Sequence, residues 1–341
     1  MPTQSSPSTA AMSACPFHAR HDADTAAALA AAATPPLLDP ALRMRPPGEP
    51  LPAPLREHGG ALAGVFGRWL RQRDDAAHGP EKAALTRALI ALSEDDIRRA
   101  ARRQASIGLM GGWEHWHWVV PSCTVASLLG MAIDDPESQR RLHRGLRAMA
   151  AGLAPQATAR EVHAGGEAVD ALLRELDDAE RRAPDAPLQW TLLHHAAPAR
   201  WSDRATFTAN RLSLIWQSHE AGAALLGHAL LAWRSTGRPP AREELLRIAR
   251  DGGAVRLTRR FDARKQPPAP VVVPLAGTDF PFGDGAHRCP GQGPALSIAH
   301  AALDWLAEQA HLRLPTPGEP LSLANMDIPQ FQSSAHEEPL A

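Results

Sequence analysis

Phe282-Gly283-Asp284-Gly285-Ala286-His287-Arg288-Cys289-Pro290-Gly291 is the stretch on which the reading of this 341-residue chain turns. A phenylalanine, two loop glycines, a basic residue two before a cysteine and a glycine two after it form a specific combination. The apolar run Ala295 to Ala307 follows at once and predicts a helix, which puts Cys289 just ahead of a helix N-terminus. Free N–H groups and the positive dipole end at such a place favour a sulfur anion. Gly283, Gly285 and Gly291 let backbone N–H groups approach the sulfur with no Cβ in the way. The competing reading is a glycine-rich surface loop with a stray cysteine. The length of the pattern and the helix after it weigh against that.

The rest of the chain sets bounds on the chemistry. Its length suffices to bury a substantial core, as one large domain or two small ones. Tyrosine is absent, tryptophan is frequent at nine, and the formal charge of −1 gives no reason to expect nucleic acid or an anionic membrane as partner. Cys15, Cys123 and Cys289 are odd in number and far apart, which argues against a disulfide framework and for a reducing compartment. No apolar run reaches the ~20 residues needed to cross a bilayer. Ala26 to Ala33 is too short, too weakly apolar and too close to Asp22 and Asp24 to act as a secretion signal. A cytoplasmic protein is expected.

Residues 1–24 are rich in Ser, Thr, Pro and Ala and are expected to form a disordered tail, with residues 25–341 as a single domain. Cys15-Pro16 reads as a tail cysteine. Residues 34–54 carry eight prolines and predict an extended, loop-like lead-in. Beyond residue 60 the periodicity is helical. Ser93 to Asp96 resembles a capping box that starts a helix continuing through Ile97 to Met110. Further helices are predicted over Val119 to Met131 after Pro121, Glu137 to Leu153, Ala159 to Ala183, Arg204 to Arg234 and Ala241 to Arg250. Strand signals are confined to Val255 to Phe261 and Val271 to Leu275. The fold class is mainly α with a little sheet.

The Phe282–Gly291 run resembles the cysteine-ligand loop of the cytochrome P450 family, in which the thiolate is the fifth ligand of a haem iron. The resemblance implies a helical cytochrome P450-like fold with a reduced β-sheet, haem b as cofactor, and Cys289 as the metal ligand. It implies that Phe282 packs on the ring and shields the sulfur, and that His287 reaches a haem propionate. Other segments follow in the family's order. Glu244-Leu245-Leu246-Arg247 matches the ExxR signature, whose i, i+3 spacing places both side chains on one helix face as a charge pair. In the family that pair braces the core beneath the cysteine loop; on a surface helix it is a solvated ion pair. Ala254 to Arg260 resembles the segment that ends in a propionate-binding arginine, with Arg260 in that place and Arg259 as fallback. Val255 and Leu257 would alternate toward the substrate pocket, joined there by Phe66 and Trp69. Asp74 to Lys82 resembles the C-helix pattern: His78 stands at its histidine, and Lys82 where arginine is usual. Both donors suit haem carboxylates, although lysine lacks the bidentate fork.

The helix predicted over Arg204 to Arg234 resembles the family's I helix, which crosses the oxygen-binding face. Its acid–threonine pair is here Glu220-Ala221, and Gln217 stands where a small residue normally leaves room for oxygen. Gln217 and Ala221 are one turn apart on one face, so the amide can occupy the place of the missing hydroxyl. A polar residue lining the core is the other reading of Gln217. His115 and His117 lie among three tryptophans. At i, i+2 they do not share a helix face and nothing nearby completes a zinc site, so they read as packing.

Relative to the family, room is lacking between Pro50 and His78 for the early strands. It is also lacking between Arg260 and Phe282 for the rest of that sheet and the meander. Losing strands that pair with each other would leave no unpaired edge. The meander normally supplies a basic partner to the ExxR pair, and only Arg264 and Lys265 are near in sequence. The resemblance thus implies a haem-thiolate monooxygenase acting on a small organic substrate, using O2 and electrons from a ferredoxin-type donor. Arg98, Arg99, Arg102 and Arg103 form a basic strip that could dock the donor or simply face solvent. Three alternatives stand beside it: peroxide-driven oxidation, rearrangement without external electrons, and a catalytically silent binding scaffold. The composition suggests a GC-rich bacterium and, by analogy, natural-product tailoring.

Overall fold

The computed structural model describes residues 35–252, 254–309 and 312–332. The expected tail at 1–24, with Cys15-Pro16, and the alanine run at 26–33 lie outside those residues. The chain folds into eleven α-helices and five strands among the described residues. It opens with β1 (Leu42–Arg43), α1 (Ala53–His58) and α2 (Gly60–Phe66). Helices α3 (His78–Ile90), α4 (Glu94–Met110), α5 (Trp113–Leu128), α6 (Pro136–Gly152), α7 (Ala159–Arg182) and α8 (Pro187–His195) follow. The 33-residue α9 (Arg204–Thr236), about 50 Å long at the usual rise per residue, spans the molecule. After α10 (Arg242–Arg250) come β2 (Leu257–Asp262), β3 (Ala269–Pro274), α11 (Gln292–Ala307), β4 (Thr316–Leu323) and β5 (Met326–Gln332). The class is mainly α with a small sheet, as expected.

Local chemistry accounts for most of the boundaries. Asp135 and Ser138 form a capping box at the start of α6, and Thr158 and Glu161 form another at α7. Asp203 caps α9 by accepting from the Thr206 N–H at 2.6 Å, and Gly237, at φ +75°, ends it in the left-handed region. Two expectations are corrected. Ser93 does not cap α4 through its side chain. Asp96 pairs with Arg99 instead, Glu94 accepts from the Ser297 hydroxyl of α11 at 2.8 Å, and the acidic first turn favours the helix through its dipole. Helix α5 starts at Trp113, not after Pro121, which lies inside it. The proline ring packs against Gly222 of α9, where a Cβ would come within 2.5 Å of it. Close approach of two core helices makes the interior proline tolerable despite its missing N–H.

The sheet is fuller than the sequence suggested. Strands β1, β2 and β3 pair antiparallel in that order, with Leu42 opposite Asp262 and Arg260 opposite Val271. So β1 lies inside the proline-rich lead-in, and β2 and β3 fall on the two expected strand segments. The edges are not eliminated: β3 is an outer strand, blunted by Pro270 and Pro274. A second, unanticipated hairpin pairs β4 with β5 and lays Pro329 on Gly227 of α9. One hydrophobic cluster runs from Leu55 to Phe331, with α5 and α9 at its centre. No helix among the described residues is long and apolar enough to cross a membrane.

Candidate functional site

The Phe282–Gly291 loop is closed by the Cys289 N–H donating to the Phe282 carbonyl at 2.8 Å, around a short 3-10 turn at Gly285–His287. Gly285 sits at φ +64°, and a Cβ there would meet Leu38 at 2.9 Å, so the lead-in segment fits against it only because it is glycine. Helix α11 begins three residues after Cys289. The Cys289 side chain keeps open surface although protein surrounds it on nearly every side. The thiol therefore faces a space inside the molecule. Burial pushes its pKa up, opposed by the Gly291 N–H and by the charges of Lys82, Arg71 and Arg288. Cys123, by contrast, is wholly packed in α5, and burial raises its thiol far higher.

The expected cradle residues converge on this loop. Lys82 donates to the Ala286 carbonyl at 2.6 Å, and burial lowers its ammonium to about 8 against the attraction of Cys289. His78, at the start of α3, stacks on His287 with ring centroids 4.5 Å apart. His287 Nε2 lies 2.9 Å from Asp74 Oδ1, and Asp74 also accepts from the Met44 N–H at 2.7 Å. Burial first, then His287 and Lys82, depress His78 to about 4. Arg260 is buried on β2 and reaches only Met44 Sδ, at 2.7 Å. Burial lowers its pKa, Asp74 raises it, and Arg71 lowers it. His78 Nε2 and Arg260 Nε are both buried with no hydrogen-bond partner among the described residues. Phe282 is half-buried against the core and lines a pocket of about 310 Å³ between its loop and α10.

Across the space, α9 carries Trp216, Gln217, Glu220 and Ala221. Burial raises the Glu220 carboxyl, with Arg71 and Arg147 pulling it down. Gln217 donates along its own helix to Ser213 Oγ, which turns the amide away from the place of a missing hydroxyl at Ala221. Phe66 and Trp69 are core residues in ring contact at 5.5 Å, and Trp69 stacks on Trp216 at 4.7 Å and 26°. Val255 packs half-buried on the core, and Leu257 is half-buried on β2.

Three expectations change. Glu244 and Arg247 do pair, at 3.3 Å, but at the surface, with the Arg247 side chain 67% exposed. Their basic partner is Arg238, bidentate on Glu244 at 2.7 Å, and it holds that carboxylate down at about 2. Arg264 is engaged with Asp262 and Asp39 instead. The basic strip on α4 is neutralised: Arg98, Arg99, Arg102 and Arg103 pair with Asp95, Asp96, Glu308 and Asp134. Sequence reasoning missed Arg71 and Trp216. Their signal was proximity: Arg71 is two residues past Trp69, and Trp216 directly precedes Gln217.

His117 is fully buried, edge-on to Phe331 at 5.0 Å, and behind α9 His143 Nδ1 meets His219 Nε2 at 2.9 Å. No group of metal-ligating side chains is assembled there or elsewhere among the described residues.

No protein-family model matches the chain, and no curated protein matches it. Solved structures do. P450BioI bound to an acyl carrier protein ligated with hexadec-9Z-enoic acid shares 15% identity, covering 87% of this chain and 89% of its own, at TM-score 0.64. The cytochrome P450 CREJ in complex with (4-ethylphenyl) dihydrogen phosphate shares 15% identity over 87% of this chain and 89% of its own, at TM-score 0.61. CxnD, a cytochrome P450 for C–S bond formation in chuangxinmycin biosynthesis, shares 16% over 79% and 76%, at TM-score 0.59. At such identities the likeness is one of fold, and this chain has the fold of the bacterial cytochrome P450 structures.

Proposed function

We propose that this chain is a haem-thiolate oxidoreductase that binds haem b through Cys289 and oxidises a small organic molecule on the α9 side. The observation that carries the reading is the Cys289 thiol opening onto an interior space lined by nitrogen donors. Lys82, Arg260, His78 and His287 surround the loop, and two of them keep buried nitrogens without partners. A flat group with an iron centre and two carboxylates matches that donor set. The thiol's raised pKa fits too, because a metal is what would hold it ionised in so dry a place.

In this reading Cys289 holds the iron, Lys82, Arg260, His78 and His287 hold the propionates, and Phe282 keeps water from the sulfur. When bound, the haem supplies activation of dioxygen with electrons from a ferredoxin-type carrier. Glu220, whose carboxyl keeps its proton to higher pH than usual, delivers protons from Oε to the distal space. Gln217 and Ala221 leave hydrogen bonding there to Glu220 and the substrate. Glu244, Arg247 and Arg238 tie the start of α10 to the turn before it, at the surface. Val255 and Leu257 flank the substrate, while Phe66 and Trp69 stay in the core. The protein would work in the cytoplasm, in tailoring of natural products, an assignment that fits the role in the name of CxnD.

A peroxide-driven reaction is the second reading. Two observations favour it: the alcohol is absent at Ala221, and every arginine of the α4 strip is already paired. Haem titration followed by turnover assays tests both. One haem per chain with product formed from reductase, ferredoxin and O2 supports the first reading; product from peroxide alone supports the second. Failure to take up haem overturns both.

A further inference from the structure

The interior space has a residue that the cofactor cradle leaves over. Arg71 lies in the 3-10 turn Leu70–Gln72, between α2 and α3. It keeps open surface, like Cys289, while sitting deep in the protein. Among the described residues it donates no hydrogen bond and joins no ion pair. Its neighbours in kind are engaged: Arg73 binds Asp75 and Glu81, and Arg211 binds Glu180 and the Leu176 carbonyl. The guanidinium of Arg71 lies over Trp216, 5.8 Å from the ring centroid, a cation–π contact. Trp216 is half-buried and stacks on Trp69, and Nε1 of both rings is buried without an acceptor.

Arg71 faces the same space as the groups around the cysteine loop, and its charge bears on Arg260 and Cys289. Lys82 is tied to Ala286, and His287 to Asp74, on the side of α3 and the loop. Arg71 instead leans on α9, one residue before Gln217 and one turn before Glu220. Its charge is felt at both Glu220 and Cys289. The guanidinium is open to that space and has no acceptor among the described residues. The groups that satisfy it best are planar or tetrahedral oxyanions that can take two parallel N–H bonds.

Resting on the haem-thiolate reading above, we propose that Arg71, propped against Trp216, is the residue that anchors the substrate. The substrate class is a small organic molecule bearing a carboxylate or phosphate. Arg71 takes the anion, and Trp216, held between Trp69 and the guanidinium, supports the arginine from behind.

The test uses the haem-loaded protein and equilibrium dialysis with para-ethylbenzoate, phenyl phosphate and the neutral para-ethylbenzamide. At least one anion is expected to bind roughly 10- to 100-fold more tightly than the amide. That preference disappears in Arg71→Gln and survives in part in Arg71→Lys, with haem affinity unchanged in both. The stronger of the two anions tells carboxylate from phosphate. Equal binding of amide and anions by the unsubstituted protein overturns the proposal, whether or not the variants fold. A fall in haem affinity in Arg71→Gln also overturns it, by making Arg71 a partner of the haem carboxylates. Failure of the functional reading itself is distinguishable, because haem without thiolate ligation shows before any ligand is added.

Discussion

Replacing His117 by leucine should make the protein markedly less sensitive to acid. His117 is fully buried on α5, and burial depresses it from 6.5 to about 3, with His115 and His143 adding repulsion and the Pro329 carbonyl opposing. Between those two values the unfolded chain binds a proton that the native state refuses. Stability is therefore complete above the ordinary histidine pKa and is lost as pH falls below it. One such group costs about 1.4 kcal/mol per pH unit, so about 2 kcal/mol is lost by pH ~5. His219 and His143 are depressed by burial in the same way, His143 to about 4, and they add to the slope. Together these losses approach the whole stability of an ordinary domain. The assay is urea unfolding followed by circular dichroism at neutral pH and near pH ~5. His117→Leu, which fills the site against Phe331 with an apolar side chain, should lose about 2 kcal/mol less than the unsubstituted protein over that interval. Equal pH dependence of the two proteins would refute the reasoning, since it would mean His117 does not resist protonation in the fold.

Two further substitutions test the packing that positions the site. Gly222→Ala drives a Cβ to 2.5 Å from the Pro121 ring, so overpacking of about 1–3 kcal/mol should outweigh the gain in helix propensity; a raised melting temperature would contradict this. Glu81, 1% exposed, accepts from the Ser202 N–H at 2.7 Å, its hydroxyl at 2.6 Å and Arg73 at 2.8 Å. Glu81→Gln turns an amide toward that arginine and should cost about 2–3 kcal/mol in denaturant unfolding, whereas a loss below about 0.5 kcal/mol would show the buried network to be dispensable.

How much the sequence disclosed depended on whether the signal was local. The cysteine loop and the helix after it carry their own turn chemistry, and α6, α7 and α9 announce themselves by period, so these were legible to within three residues. The hairpin β4–β5 was not, because Pro317, Gly318, Pro320 and Pro329 read as loop. An isolated two-stranded ribbon at the edge of the fold tolerates prolines that a central strand would reject. The same effect hid β1 among the prolines of the lead-in. Pro121 misplaced the start of α5, since the room for its ring is made by Gly222, a hundred residues away in sequence.

The site divides in the same manner. Cys289, His78, Lys82 and Arg260 sit in short patterns, and the structure brings them around one space. Arg238 was overlooked because the search for a brace looked downstream of Arg247, while the fold supplies it from the turn before α10. Arg71 and Trp216 belong to no pattern at all; only the stacking of the turn before α3 on α9 brings them together. The α4 arginines looked free in sequence, but helical i, i+3 spacing and the ends of neighbouring elements hand each one a carboxylate.

The central claim is that the Cys289 sulfur ligates a haem iron. Its most direct measurement is the absorption spectrum of the reduced haem-loaded protein under carbon monoxide, alongside the Cys289→Ser variant. The account predicts the far red-shifted Soret band of thiolate-ligated iron in the unsubstituted protein, and its loss in Cys289→Ser even where haem is retained. An unchanged spectrum in the variant, or no such band in either protein, would contradict it.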